Sequence, residues 1–419
     1  MSITSSWIID LVILFATVSL VAYKYATRKF DYWKKRNVYH LKPLPFIGNF
    51  KDVSLFKVTI GEWLKQMYDS TDEPYFGIFV YDEPHLVIKD PQLIKQILVK
   101  DANSFPDRTN AAPQHNEIIA NLLFFQKSPN WKVYRSKISP AFTSGKLKLM
   151  FHSINEISQN LNRYIEKHLG DIEAKEVCAK FSTEAIARCA FGLKAHCFED
   201  ENAAFRKVGR RLFDFSWRNA IIQSAYFFRP DWVSWLHLDF FDKQVSDYMI
   251  EVFSNVMKQR EDTNTKGNDF LDMLIELKKN QDLKEKYSFE GNKVIAQAFQ
   301  FFLAGFETTS SLISFTLYEL CKNPKYQNTV REEIKTTIDK DGGITYENVM
   351  GMKYLDMCVQ GERFGLLATK LALVRILSEF EVVRNMKTPD VIDFTPKSFI
   401  LQSKIGLPMK IKKITSTPA

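Results

Sequence analysis

A glycine, an acid and two hydroxyl side chains follow one another inside an apolar stretch that otherwise predicts a buried helix. They lie in Ala304 to Thr309, within the apolar run Val294 to Leu320. Such residues loosen a helix or compete for its backbone hydrogen bonds, so the cluster costs stability. A helix widened at Gly305 would expose a carbonyl groove, where Glu307 and Thr308 can hold water and pass protons. The pattern predicts a catalytic helix; the alternative is a core helix that tolerates these residues.

A second pair of residues suits a carboxylate ligand. Trp131 and Arg135 are four positions apart, so on a helix the indole N–H and the guanidinium group share one face. Both groups are hydrogen-bond donors. The pair therefore predicts a binding site for a carboxylate; the alternative is a cation–aromatic contact at the surface.

The composition of the chain narrows its class. Its 419 residues carry a formal charge of +8, and the basic residues are spread among acids, which disfavours a nucleic-acid partner and favours an acidic protein or a membrane surface. The five cysteines form no C-x-x-C pair, so we expect reduced, mostly buried thiols rather than a disulfide framework or a structural zinc site.

The N-terminal region predicts a membrane anchor. Trp7 to Tyr23 is almost wholly apolar and is followed by basic residues, which keep the C-terminal side of the span in the cytoplasm. The prolines of Lys42 to Asn49 then predict a stiff, extended hinge. We expect residues 1–30 to form an anchor with a basic linker, 31–50 the hinge, and 51–419 one large domain.

Hydrophobic periodicity predicts a mainly α fold with a small β portion. The predicted elements are a helix over 60–69, strands over 75–81 and 85–89 joined by a turn at 82–84, a helix from 91 to 99, helical sequence from 147 to a C-cap at Gly192, a central helix over 288–321 and a helix over 327–338.

These motifs resemble those of the cytochromes P450. Ala304 to Thr309 is similar to the oxygen-activating helix of that family, and Trp131 to Arg135, followed by Ser139 to Lys146, is similar to its W-x-x-x-R segment. Phe105 to Arg108 resembles the corresponding segment of the microsomal detoxifying families, which points to the insect-type family 6 within the clan that includes vertebrate family 3.

The resemblance implies specific roles for these residues. Trp131 and Arg135 would bind a haem propionate, Ala304 and Gly305 would lie over the haem with Thr308, and Glu307 with Thr308 would relay protons as catalytic residues. The aromatic-rich region 205–245 would roof the substrate pocket.

The resemblance also implies cofactors, partners and location. They are haem b, electrons from NADPH through NADPH-cytochrome P450 reductase, cytochrome b5 as an accessory partner, and an apolar substrate such as a foreign compound. The protein would sit on the cytoplasmic face of the endoplasmic reticulum membrane through a single N-terminal anchor.

The sequence departs from the family pattern after Gln360. Where the family has an E-x-x-R helix, a long meander and the loop with the iron-binding cysteine, Gln360 leads straight into Gly361 to Leu366, which resembles the sequence after that cysteine. We therefore expect an internal deletion at 360/361. Glu381 to Arg384 spells E-x-x-R but lies in a predicted strand region. The resemblance places Cys358 in a helix rather than in the ligand loop, so it does not fit as a substitute ligand.

Two functions remain open from the sequence. The family function is haem-thiolate monooxygenation of apolar small molecules. The alternative is an inactive membrane-anchored remnant or splice product, because an axial thiolate both anchors the iron and favours O–O cleavage. The deletion is also expected to fuse the helix before residue 360 with the helix after it, and to leave apolar surface exposed.

Overall fold

The computed structural model describes residues 7–214, 216–280, 288–359, 361 and 363–414. The chain divides into two compact units, one of residues 1–107 with 395–401 and one of residues 108–394 with 402–419. Most described residues are helical and the sheets are small, which confirms the predicted mainly α fold class.

The first unit begins with a long exposed helix and contains a two-stranded antiparallel sheet. Its elements are α1 (Trp7–Thr27), α2 (Lys51–Ser54), α3 (Ile60–Asp69), β1 (Tyr75–Val80), β2 (Glu83–Ile88) and α4 (Pro91–Lys95), the last continued by a π-helical turn (Gln96–Lys100). By length and composition, α1 is the one helix in the described part of the chain that can cross a membrane.

The hairpin turn of the first unit lies earlier than predicted. Val80 pairs with Glu83, so the turn consists of Tyr81 and Asp82, and Tyr81 has a φ of 56°. Pro84 lies within β2, because a proline without an N–H group is tolerated in an edge strand. The Lys42 to Asn49 segment forms a turn rather than an extended spacer, with the Asn49 side chain accepting a 2.8 Å hydrogen bond from the Phe79 amide.

The second unit contains the remaining helices and a three-stranded antiparallel sheet. Its helices are α5 (Glu117–Asn121), α6 (Asn130–Ile138), α7 (Ser144–Lys167), α8 (Ala174–Phe191), α9 (Ala204–Leu212), α10 (Trp217–Phe228), α11 (Pro230–Leu236), α12 (Lys243–Thr263), α13 (Phe270–Lys279), α14 (Asn292–Lys322), α15 (Pro324–Asp341), α16 (Tyr346–Gly351), α17 (Lys353–Cys358) and α18 (Arg363–Glu379). Its strands are β3 (Gly170–Glu173), β4 (Phe380–Val383) and β5 (Pro408–Lys413), in the order β3-β5-β4.

Helix α14 is the central element of the second unit. It packs against α8, α18, α5 and α12, and its apolar residues are buried on several sides. Several of its hydroxyl side chains bond back to the helix itself: Ser310 donates to the Glu307 carbonyl at 3.0 Å and Thr316 to the Leu312 carbonyl at 2.8 Å. This back-bonding satisfies these hydroxyls without a break in the helix, which ends at Lys322 with Asn323 as its C-cap before a proline.

The predicted helical sequence from 147 to 192 contains a strand. Helix α7 ends at Lys167, and β3 pairs with β5 before α8 begins. Gly170 has a φ of 112°, and the Glu173 carboxylate accepts hydrogen bonds from the first amides of α8. The C-cap at Gly192 is confirmed, with a φ of 64°.

The predicted fusion of the helices around residue 360 is wrong. Helix α17 ends at Cys358, Val359 is extended, and α18 starts at Arg363 with a φ of 51°. Helix α18 is also buried over most of its length rather than exposed. Its fully buried Lys370 donates to the carbonyls of Val349, Met350 and Met352 and pairs with Asp356 at 2.6 Å, so it anchors α16 and α17. Gln360 and Glu362 lie outside the described residues.

Candidate functional site

A cavity of about 460 Å³ lies within the second unit. Helix α14 forms one wall of the cavity, and α6 with the residues that follow it forms a second wall. The start of α18 and single residues of other segments complete the lining. The side chains that line it are mostly apolar, and several are aromatic. A cavity of this size and lining suits a small organic molecule.

Three of the predicted site residues on α14, Ala304, Gly305 and Thr308, line the cavity. The Thr308 hydroxyl donates a 2.5 Å hydrogen bond to the Ala304 carbonyl, which leaves its oxygen lone pairs available to an incoming donor. The Thr308 hydroxyl of the motif therefore lies at the cavity wall, and its catalytic role stays a prediction.

The predicted widening of α14 at Gly305 is wrong, because the helix is regularly α-helical through this residue. A Cβ atom at Gly305 would lie 2.5 Å from Cδ1 of Ile186 in α8. The glycine is therefore required for the close approach of two helices.

Glu307 does not line the cavity, although it precedes Thr308 in the sequence. Its side chain is 3% exposed and lies 2.8 Å from the ammonium group of Lys175, and Gln402 donates to the same carboxylate oxygen at 2.5 Å. Lys175 also donates to the hydroxyls of Ser310 and Ser311 at 2.7 and 2.8 Å. Burial lowers the pKa of Lys175 below its ordinary value, and the Glu307 carboxylate opposes this shift.

The structure therefore separates the two predicted catalytic residues. Glu307 belongs to a buried ion pair between α14 and α8, whereas Thr308 lies at the cavity. The proton-relay role of the pair stays a prediction.

Arg135 lines the cavity, and its predicted partner Trp131 does not. Both lie on α6, where Trp131 is half-buried against the core and Arg135 is exposed. The Arg135 guanidinium forms no ion pair with any residue that the structure describes, so it is available to a carboxylate. The predicted role of Trp131 in binding the same carboxylate stays a prediction.

Sequence reasoning missed several residues of the cavity wall. On α14 they are Gln297, Gln300, Phe301, Thr309 and Leu312. Most of these follow the three- and four-residue spacing of one helix face that runs through Ala304 and Thr308, and this spacing was a usable signal. Arg363 and Phe364 had no such signal, because their position depends on how α18 packs.

The cavity fits one half of a haem site. Arg135 can bind a propionate, and α14 presents Ala304, whose small side chain allows a flat ring to approach. Haem iron also needs an axial ligand from cysteine, histidine, methionine or tyrosine. The described residues that line the cavity include none of these four types.

The cysteines do not supply the axial ligand in the described structure. Cys358 is the last residue of α17, is half-buried and does not line the cavity, and burial raises the pKa of its thiol. The other four cysteines are buried, and burial raises their pKa values as well. None of the five cysteines lines the cavity, so they do not fit a thiolate-ligated iron there.

Comparison with known proteins agrees with the sequence motifs. The family model described as Cytochrome P450 matches residues 40–360. The chain is 31% identical over 519 aligned positions to cytochrome P450 6k1 of Blattella germanica, with 99% of each chain covered. It is 37% identical to cytochrome P450 6j1 of the same insect, covering 84% of this chain and 71% of the relative. It is 32% identical to probable cytochrome P450 6g2 of Drosophila melanogaster, covering 83% and 70%.

Members of this family are haem-dependent monooxygenases, oxidoreductases that act on organic substrates with electrons from a reductase. The helical fold, the motifs on α6 and α14, and the relatives all lead to the same assignment. The chain belongs to the cytochrome P450 family, and the relatives it resembles are insect members of family 6.

Proposed function

We propose that this chain is a membrane-anchored cytochrome P450 that retains the oxygen-side wall of the haem site and lacks the axial iron ligand. In this form it does not carry out monooxygenation. The observation that carries the proposal is the cavity, where Arg135 and Thr308 are in place but no described lining residue can ligate iron.

An internal deletion accounts for this lining. The alignment with cytochrome P450 6k1 spans 519 positions, so at least 100 of them (519 minus 419) lie opposite gaps in this chain of 419 residues. The family model match ends at residue 360, which is the predicted junction. Both observations support a missing block between Gln360 and Gly361, where the family carries its iron-binding cysteine.

The second candidate is the complete family function, haem-thiolate monooxygenation of apolar foreign or endogenous molecules. The apolar cavity wall and the cavity positions of Ala304, Gly305 and Thr308 favour it. In that case Trp131 and Arg135 hold the propionate of haem b, and Glu307 with Thr308 relays protons. Electrons then come from NADPH through NADPH-cytochrome P450 reductase, with cytochrome b5 as an accessory partner.

The proposed location is the cytoplasmic face of the endoplasmic reticulum membrane. Helix α1 has the length and composition of a single membrane span. The basic residues that follow it favour a cytoplasmic C-terminal side. This supports an anchor with a basic linker over 1–30. The hinge over 31–50 and the catalytic-type domain over 51–419 stay predictions.

A carbon monoxide difference spectrum of the reduced full chain, expressed with a haem precursor, tests the proposal. We expect no absorption band of a thiolate-ligated haem, whereas a complete family 6 relative prepared in parallel shows one. A normal band in this chain contradicts the proposal.

If a normal band appears, a Cys358→Ser variant tests whether that thiol is the ligand, with Cys321→Ser as a control. Sequencing of the transcript across residues 360 and 361 tests whether the junction is present.

A further inference from the structure

The cavity carries two cations and, among the described residues that line it, no acid. Arg135 and Arg363 both line it and both are exposed, so they lie where it meets solvent. The Arg363 guanidinium donates to the Phe142 carbonyl at 3.3 Å and forms no ion pair with any acid among the described residues. Glu307 is neutralised by Lys175 away from the cavity. This distribution of charge favours an organic anion.

The inner wall of the cavity is aromatic. Phe270 and Phe301 are stacked with ring centroids 4.3 Å apart and an interplanar angle of 25°, and both line the cavity. Phe301 also contacts Phe142 and Phe364, with centroid distances of 5.2 and 5.9 Å. A ligand with a flat apolar body can pack against these rings while its charged end reaches the arginines.

A buried hydroxyl group points to a ligand independently of the arginines. Thr309 lines the cavity, is 2% exposed, and its hydroxyl has no hydrogen-bond partner in the described structure. A buried hydroxyl without a partner costs free energy, so a group that bonds to it inside the cavity is favoured.

We propose that the cavity binds an amphipathic aryl-alkyl monocarboxylic acid without any haem. Its carboxylate pairs with Arg135 and Arg363 and accepts a hydrogen bond from the Thr309 hydroxyl, and its aromatic end packs on Phe301 and Phe270. The inference goes beyond the proposed function, because it assigns a ligand to the cavity of a chain that performs no oxidation.

Binding of phenylbutyrate to the detergent-solubilised full chain, prepared without added haem, tests this inference by equilibrium dialysis. Phenylbutanol has the same body without the charge and serves as the matched ligand. We expect the acid to bind saturably and at least about tenfold more tightly than the alcohol, since a hydrogen bond to a charged group contributes roughly that factor or more.

Variants assign the binding to the cavity. Arg135→Gln and Arg363→Gln are each expected to weaken acid binding about tenfold and to leave alcohol binding unchanged. Lys132→Gln, an exposed residue of α6 that does not line the cavity, is the matched control and leaves both unchanged. Thr309→Val, which keeps the side-chain shape, is expected to weaken acid binding severalfold.

The outcomes separate this inference from the proposed function. Absence of saturable acid binding, equal affinity for acid and alcohol, or unchanged acid affinity in both arginine variants overturns it. A thiolate band in the carbon monoxide spectrum contradicts the proposed function alone, because the dialysis contains no haem.

Discussion

At the scale of single residues, the buried pair of Lys175 and Glu307 changes the interpretation of the α14 motif. The two side chains are 21% and 3% exposed, and Lys175 lies in the first turn of α8, where the helix dipole disfavours a cation. The pair therefore has little solvent around it, and each charge is stabilised mainly by the opposite charge of its partner. In this arrangement Glu307 holds α14 to α8.

Substitution of Lys175 by methionine is expected to lower the free energy of unfolding by about 3 kcal/mol, because it leaves the Glu307 carboxylate buried without its cation. Lys175→Met/Glu307→Gln is expected to recover part of this loss, since no charge is then buried. Urea unfolding followed by circular dichroism measures both.

An exposed lysine–glutamate pair provides the control for Lys175. Lys148 pairs with Glu347, and their side chains are 53% and 66% exposed. Lys148→Met is therefore expected to have little effect on stability, because solvent screens an exposed pair. Equal effects of the two lysine substitutions would show that the Lys175 pair is not held in a desolvated site.

At the scale of elements, the sequence predicted the helices better than their contacts. The central helix and the helix over 60–69 follow from periodicity, because their apolar faces repeat at helical spacing. The sequence did not reveal β3, since Gly170 to Glu173 is ordered by its pairing with β5, far away in the chain. Arg363 was missed at the cavity for the same reason: its place depends on how α18 packs against α14.

The close contact between α8 and α14 at Gly305 predicts that a larger residue there destabilises the protein. A Cβ atom there would lie 2.5 and 3.0 Å from two atoms of Ile186, so Gly305→Ala is expected to destabilise the protein by about 1–3 kcal/mol despite the better helix propensity of alanine. Adding Ile186→Val removes the nearer of those atoms and is expected to restore part of the loss. Thermal or urea unfolding measures the three variants.

Gly145 in α7 is the matched control for Gly305, because a Cβ atom added there meets nothing within 4 Å. Gly145→Ala is expected to be neutral or stabilising by up to about 1 kcal/mol. If Gly305→Ala behaves like Gly145→Ala, the glycine is not required by the helix contact, and its place in the motif needs another explanation.

At the scale of the whole molecule, the described cysteines make folding sensitive to alkaline pH. Burial raises the pKa of Cys321 to about 11 and of Cys189 to about 12, and raises those of Cys178 and Cys197 further. The unfolded chain loses these protons near the ordinary thiol value of 9.0, whereas the folded chain keeps them. The folded state then binds more protons, so stability falls as pH rises above that value. The lowered pKa of Lys175 acts in the opposite direction, but it is one group against four.

We therefore expect the free energy of unfolding to decrease steeply between about pH 9 and 11, by about 1.4 kcal/mol per pH unit for each buried thiol. Cys189→Ala removes one titrating thiol, so the slope of its unfolding free energy against pH is expected to be shallower by that amount, even if the substitution also lowers stability at neutral pH.

Ser182→Ala is the control, because it is a buried substitution in the same helix that removes no titrating group, and it keeps the wild-type slope. Urea unfolding across this pH range measures the slopes. A Cys189→Ala slope equal to that of the wild type would mean that this thiol ionises in the folded protein as readily as in the unfolded chain, and that α8 is less closely packed than the structure shows.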